Sequence, residues 1–112
     1  MSLKNEKMAD YKFLADMYKN GYFPNHLVDK GKEILIRLCK QMEDKAPSNL
    51  EELYQLTHAA TEEFNDLAEE FEENDSEIET AARDCIGVDI ENISISYGFE
   101  ADIEELIAPR DW

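Results

Sequence analysis

One hundred and twelve residues, 43% hydrophobic and with eleven aromatics, suffice for a single domain over residues 1–112 with its own core. A formal net charge of −16 argues against binding nucleic acid or anionic lipid, because neutralising phosphates needs a basic surface. With no run of 18 apolar residues, and a polar start from Met1 to Asp10 in place of an apolar signal core, the chain reads as a cytoplasmic protein without a membrane span.

Met8, Tyr11, Leu14, Ala15 and Tyr18 recur at 3–4 spacing and predict a first helix over 7–19. Phe13 and Met17 add a second apolar pair, so this helix should be buried on more than one side. Asn20-Gly21 stops it, and Tyr22-Phe23-Pro24 follows as an aromatic connector that reads as covering the bundle end before it reads as an exposed recognition loop. Asn25 then caps a second helix over about 26–44. Its apolar face carries Leu27, Val28, Ile34, Leu35, Leu38, Cys39 and Met42, with Gly31 on the same side for close approach of a neighbour.

Lys45-Ala46-Pro47 ends that element. Ser48 or Asn49 opens a third helix, and Ser48 with Glu51 has the form of a capping box. Leu50, Leu53, Thr57, Ala60, Phe64, Leu67 and Phe71 alternate 3 and 4 apart, a seam for near-antiparallel packing. A second stripe, Glu51, Gln55, His58, Glu62, Asp66, Glu69 and Glu73, is wholly polar. Asp75 or Ser76 should cap a fourth helix carrying Ile78, Ala82, Cys85, Ile86, Ile90, Ile93 and Tyr97, bent near Gly87. Residues 93–97 also alternate, but a lone strand would have nothing to pair with. Gly98-Phe99 resembles a Schellman stop. Asp102 with Glu105 opens a short helix from Ile103 to Ala108, and Trp112 should be packed. The expected fold is all-α, a compact bundle of four main helices plus a short C-terminal one.

Charge is unevenly spread along these elements. Residues 1–47 hold nine basic and seven acidic side chains, while residues 48–112 hold twenty acidic ones against Arg83 and Arg110. The densest acidic run is 69–79, with seven acidic residues in eleven. Glu69, Glu70, Glu72 and Glu73 stand near a helix C-terminus, where the dipole prefers cations, and Asp66/Glu70 and Glu69/Glu73 are like-charge pairs one turn apart. Such placement costs stability, which a bound cationic partner would offset and which salt also screens. The candidate partner-binding residues are therefore Glu62, Asp66, Glu69, Glu70, Glu72, Glu73, Asp75, Glu77 and Glu79.

Catalytic signals are sparse. An EF-hand loop begun at Asp75 would need Gly at its sixth place and Glu at its twelfth, where Thr80 and Ile86 stand. A di-metal bundle needs Glu three residues before His, but Gln55 precedes His58 and Phe23 precedes His26. His58 and Glu62 are one turn apart, which reads as an exposed histidine beside a carboxylate before it reads as an acid/base pair. Cys39 and Cys85 fall on apolar faces and read as reduced, buried thiols. No cofactor is expected.

Four stretches carry a resemblance: Tyr22-Phe23-Pro24, Asn49 to His58 (NLEELYQLTH), Glu72 to Glu79 (EENDSEIE) and Asp102 to Ile107 (DIEELI). On these the chain is similar to an uncharacterised family of small acidic bacterial proteins, which implies a shared fold and no activity. Glu51 to His58, followed by Glu62 and Glu63, also resembles the acidic specificity helix of colicin DNase immunity proteins. The Tyr-Tyr-Pro and Asp-Ser-Pro segment of that family has no counterpart here. The expected function is a non-enzymatic interaction protein, inhibitor- or immunity-like, that engages a basic protein partner. A self-associating structural domain is the alternative, and a weak divalent-metal enzyme around His58 is the third reading.

Overall fold

Two long helices, α3 (Asn25–Lys45) and α4 (Leu50–Glu73), form the frame of the structure, a computed structural model that describes residues 3–112. In α4 the seam residues Leu53, Thr57, Ala60, Phe64, Leu67 and Phe71 are all buried; only Leu50, at the helix start, is exposed. Leu56 and Thr61 widen the seam, and the Thr61 hydroxyl donates to the Thr57 carbonyl (2.8 Å), so burying it leaves no unpaired donor. Ion pairs Lys30–Glu70 and Arg37–Glu63 tie the two helices and show them to be antiparallel. Both pairs are about half exposed, so each contributes roughly 0–1 kcal/mol; the buried rows set the register. Gly31 lets the frame close up, for a Cβ there would lie 2.9 Å from Leu14 Cδ1 and 3.1 Å from Phe64 Cε1.

Helix α5 (Thr80–Ser96) packs on α3, and α6 (Ile103–Leu106) lies against both α5 and α4. Gly87 is the contact point on α5, where a Cβ would meet Ile103 Cγ2 at 3.0 Å. Leu106 and Ile107 are buried behind it. The tail then crosses from α4 to α5. Asn65 on α4 donates to the Pro109 carbonyl (3.1 Å) and accepts from the Asp111 amide (2.9 Å), and Arg83 Nε on α5 donates to the Trp112 carbonyl (3.1 Å). Trp112 packs edge-on to Phe64, as its area favours.

The protein is a compact all-α bundle, and the described residues contain no strand. Residues 93–96 are helical and Tyr97 is the C-cap. Met1 and Ser2, part of the polar start, lie outside the described residues. One expected helix is not there. Residues 7–19 form two single-turn pieces, α1 (Glu6–Ala9) and α2 (Ala15–Lys19), so the bundle has three long helices rather than four. Between them Leu14 takes a left-handed conformation (φ 56°), and its amide donates to Asp89 Oδ2 (2.7 Å) instead of to its own helix. The apolar residues expected on that helix still reach the core: Met8, Phe13, Leu14 and Met17 are buried.

This irregular segment is a strap clamped by two carboxylates, Asp89 and Glu43. Glu43 accepts from the Lys4 and Asn5 amides (both 3.0 Å) and from the Tyr97 hydroxyl. Partial burial works against its charge, yet those donors hold its carboxyl below the usual carboxylate range.

Helix ends differ from expectation by small, local steps. Asn25 is the first helical residue of α3, with Pro24 in the cap position. At α4 the cap is Asn49, whose side chain accepts from the Glu52 amide (2.9 Å), while Glu52 reaches back to the Ser48 amide (2.8 Å). The expected box is thus shifted by one residue. Glu79, not Asp75 or Ser76, stands at the start of α5, and α6 ends at Leu106 rather than Ala108. Asp75 and Ser76 instead close α4: the Ser76 amide donates to the Phe71 carbonyl (2.8 Å) and the Asp75 amide to that of Glu72 (3.2 Å), a Schellman motif with Asp75 at φ 60°. Gly98 (φ 95°) and Phe99 close α5 in the same way.

Gly31→Val should lower stability by about 1–3 kcal/mol, the usual range for overpacking a tight contact. Gly21→Ala, with nothing within 4 Å of the added carbon, should be nearly neutral. Urea midpoints at constant slope would measure both.

Candidate functional site

The expected site residues divide between two surfaces. Asp66 and Glu70 line a shallow groove with Lys30, Glu33, Arg37 and Glu63, where Glu70 is paired to Lys30. Glu69, Glu72 and Glu77 lie together elsewhere, with Asp111 and Trp112, around a depression of about 300 Å³. Glu62, Glu73, Asp75 and Glu79 are exposed and line neither of these. Of the nine acidic residues, only Glu70 is ion-paired among the described residues.

The bend itself is rigidly built. Beyond the Schellman amides, Asn74 Nδ2 donates to the Glu70 carbonyl (2.8 Å), and the buried Ser76 hydroxyl donates to the Tyr22 carbonyl (3.2 Å). Phe23 is buried and packs edge-on to Phe71, while Tyr22 beside it is 43% exposed. The aromatic connector therefore covers the bundle end and leaves one tyrosine at the surface next to the acidic bend. Trp112 Nε1, in the depression, is buried without a hydrogen-bond partner.

His58 forms no ion pair with Glu62 among the described residues. Its Nε2 lies 2.7 Å from the Glu105 carbonyl oxygen, and its ring stacks on Tyr54 (5.6 Å, 8°). Its partner is a main-chain carbonyl rather than the carboxylate expected, and the bond joins α4 to α6. Among the described residues no three His, Cys, Asp or Glu side chains are grouped to hold a metal ion. Cys39 is fully buried and Cys85 half-buried, and both are free thiols. Burial, with the Glu43 charge, pushes the Cys39 thiol up to about 12; burial, with the Asp89 charge, pushes Cys85 up to about 11.

A second site was missed by sequence reasoning. Asp89 is only 6% exposed. Its Oδ1 accepts from the Tyr11 hydroxyl (2.6 Å), its Oδ2 from the Leu14 amide, and Asn92 Nδ2 donates to the Tyr11 oxygen (2.9 Å). It forms no ion pair among the described residues. Burial pushes its carboxyl up, against the Tyr11 and Leu14 hydrogen bonds, and the Asp16 charge adds to the rise. The same burial, with the bond to Asp89, raises Tyr11 to about 12. Asp89 lines an open groove of about 340 Å³ between α2 and α5. A signal existed: Asp89 stands three residues after Ile86 and four before Ile93, on the buried row of α5.

Residues 7–112 match the sequence profile of a family described as a family of unknown function, DUF5713. The chain belongs to that family. The match takes in the bend, the groove and the strap from residue 7 onward, while Lys4, Asn5 and Glu6 stand before it. No curated protein and no solved structure matches the chain, so the likeness to colicin DNase immunity proteins rests on its own dozen residues. No helix among the described residues is long and apolar enough to cross a membrane.

Asp89→Ala should cost about 1–3 kcal/mol, because it strands the buried Leu14 amide; Asp89→Asn keeps an acceptor and should cost less. The pH dependence has a definite sign. A carboxyl raised in the folded state contributes stability that is full below its unfolded value, about 3.9, and is lost as pH rises through the folded value. Relative to Asp89→Asn, the natural protein should therefore lose stability as pH rises from about 4 towards neutrality. Urea titrations at several pH values would show a flat or opposite difference if this assignment were wrong.

Proposed function

We propose that this protein is a non-enzymatic interaction module, inhibitor- or immunity-like, which binds a basic protein partner in the bacterial cytoplasm through the bend at 69–79. One observation carries the reading: Glu69, Glu72, Glu73, Asp75, Glu77 and Glu79 crowd one bend without a single ion-paired cation among the described residues. Such a surface attracts a basic partner over a screening length of about 8 Å at physiological salt and speeds encounter. Tyr22, exposed beside it, is the residue type that anchors interfaces efficiently.

Self-association is the weaker alternative. The cations that a second copy would offer include Lys30 and Arg37, and both are paired within the chain to Glu70 and Glu63. Each copy also carries a net charge of −16, which opposes pairing. The colicin-immunity likeness belongs to this reading as an analogy of charge and size, with the specificity segment lacking.

A low-salt pull-down from a bacterial lysate tests the proposal. The quadruple change of Glu69, Glu72, Glu73 and Glu77 to Gln should release the captured basic protein, while Glu70→Gln, which removes a residue already paired, should not. A captured set unaltered by the quadruple change would remove the bend from the interface.

A further inference from the structure

The groove between α2 and α5 has a composition that the bend lacks. Its inner wall holds a carboxylate, Asp89, that is nine-tenths buried and whose partners among the described residues are neutral donors, the Tyr11 hydroxyl and the Leu14 amide. A carboxylate can accept more than these two hydrogen bonds, and a buried charge without a counter-ion is costly. Asp16 and Asp84, both exposed, stand at the same groove. Lys12 lines it too, yet forms no ion pair among the described residues. The remaining wall is apolar, and it includes Val88, a large aliphatic side chain 43% exposed. Ile95, two turns further along α5, is 49% exposed, with Glu91 and Asn92 standing between it and Val88.

We infer that this groove receives one lysine or arginine side chain from an amphipathic segment of a basic partner protein, with its alkyl stem on Ala15, Ala81 and Val88 and its charged head among Asp16, Asp84 and Asp89. Charge complementarity selects this occupant over a second copy, whose own net charge is −16. An apolar stem with a cationic tip matches an apolar wall with an acidic base, and Tyr11 is an aromatic residue of the same lining. The inference rests on the basic-partner reading and adds an anchoring pocket to it.

The test needs no partner, so its failure is separable from failure of the bend. N-acetyl-arginine amide is titrated into the full chain and followed by amide NMR, with N-acetyl-citrulline amide as the neutral isostere. The arginine probe should shift Leu14, Cys85 and Val88 and saturate in the millimolar range, and the citrulline probe should not. Binding should weaken about threefold with Asp84→Asn, as for an exposed ion pair, and about tenfold with Asp89→Asn, as for a desolvated one. Asp84 is exposed and its side chain forms no ion pair among the described residues, so its substitution guards against a merely misfolded Asp89 variant. Shifts centred on residues 69–79, equal shifts with citrulline, or indifference to Asp84→Asn would each overturn the pocket. A helical peptide with one arginine flanked by leucines should bind tighter than the single residue. Spermidine binding more tightly than that peptide would assign the pocket to free amines and overturn the partner side chain.

Discussion

The hydrogen bond from the Leu14 amide to Asp89 decides how the first quarter of the chain is built. A leucine at φ 56° is strained by about 1–3 kcal/mol. A hydrogen bond to an ionised group contributes about 1.5–3 kcal/mol, and full burial of a leucine side chain about 1.5–3 kcal/mol more. These gains stand against that strain and the cost of burying the Asp89 carboxyl at the break in the helix. Its effect is to seat Leu14 against Gly31, at the centre of the α3–α4 frame. One carboxylate on α5 thus positions a side chain that packs between two other helices.

What could be read in advance follows from the range of the forces. The α4 seam was legible because helix formation, capping and the 3–4 spacing from Leu53 to Phe71 all act within a turn or two. The close approach at Gly31 and the stop at Gly98 were legible for the same reason. Residues 7–19 have an equally good period and yet do not form one helix, because the competing acceptor lies 75 positions away. A local pattern carries no information about such a partner. Cap positions erred by a single residue where two polar side chains in a row could each serve, as with Ser48 and Asn49.

The acidic run was legible as composition but not as a surface. Sequence placed nine carboxylates on one site, while the helix turns them in different directions and the frame takes Glu70 for Lys30. The expected strain at the end of α4 is also smaller than the charge alone implies. Its terminal carbonyls accept hydrogen bonds from Ser76, Asp75 and Asn74, which lessens the negative end of the dipole that the glutamates would face. Mutual repulsion among the exposed carboxylates remains, and solvent screens it.

The two acidic surfaces therefore differ in kind. At the bend the carboxylates are solvated, so a partner there would gain mainly in encounter rate and would lose that gain as salt rises. At the α2–α5 groove the decisive carboxylate is already dehydrated by the fold. The desolvation that usually offsets an interfacial ion pair has been met on this side before any partner arrives. A cation reaching Asp89 would lose only its own hydration, and salt would screen the contact less. A partner using both would be steered by the first surface and held by the second. The sequence of α5 suits that division, because it keeps Asp89 on the buried row and leaves Val88 and Ile95 outside.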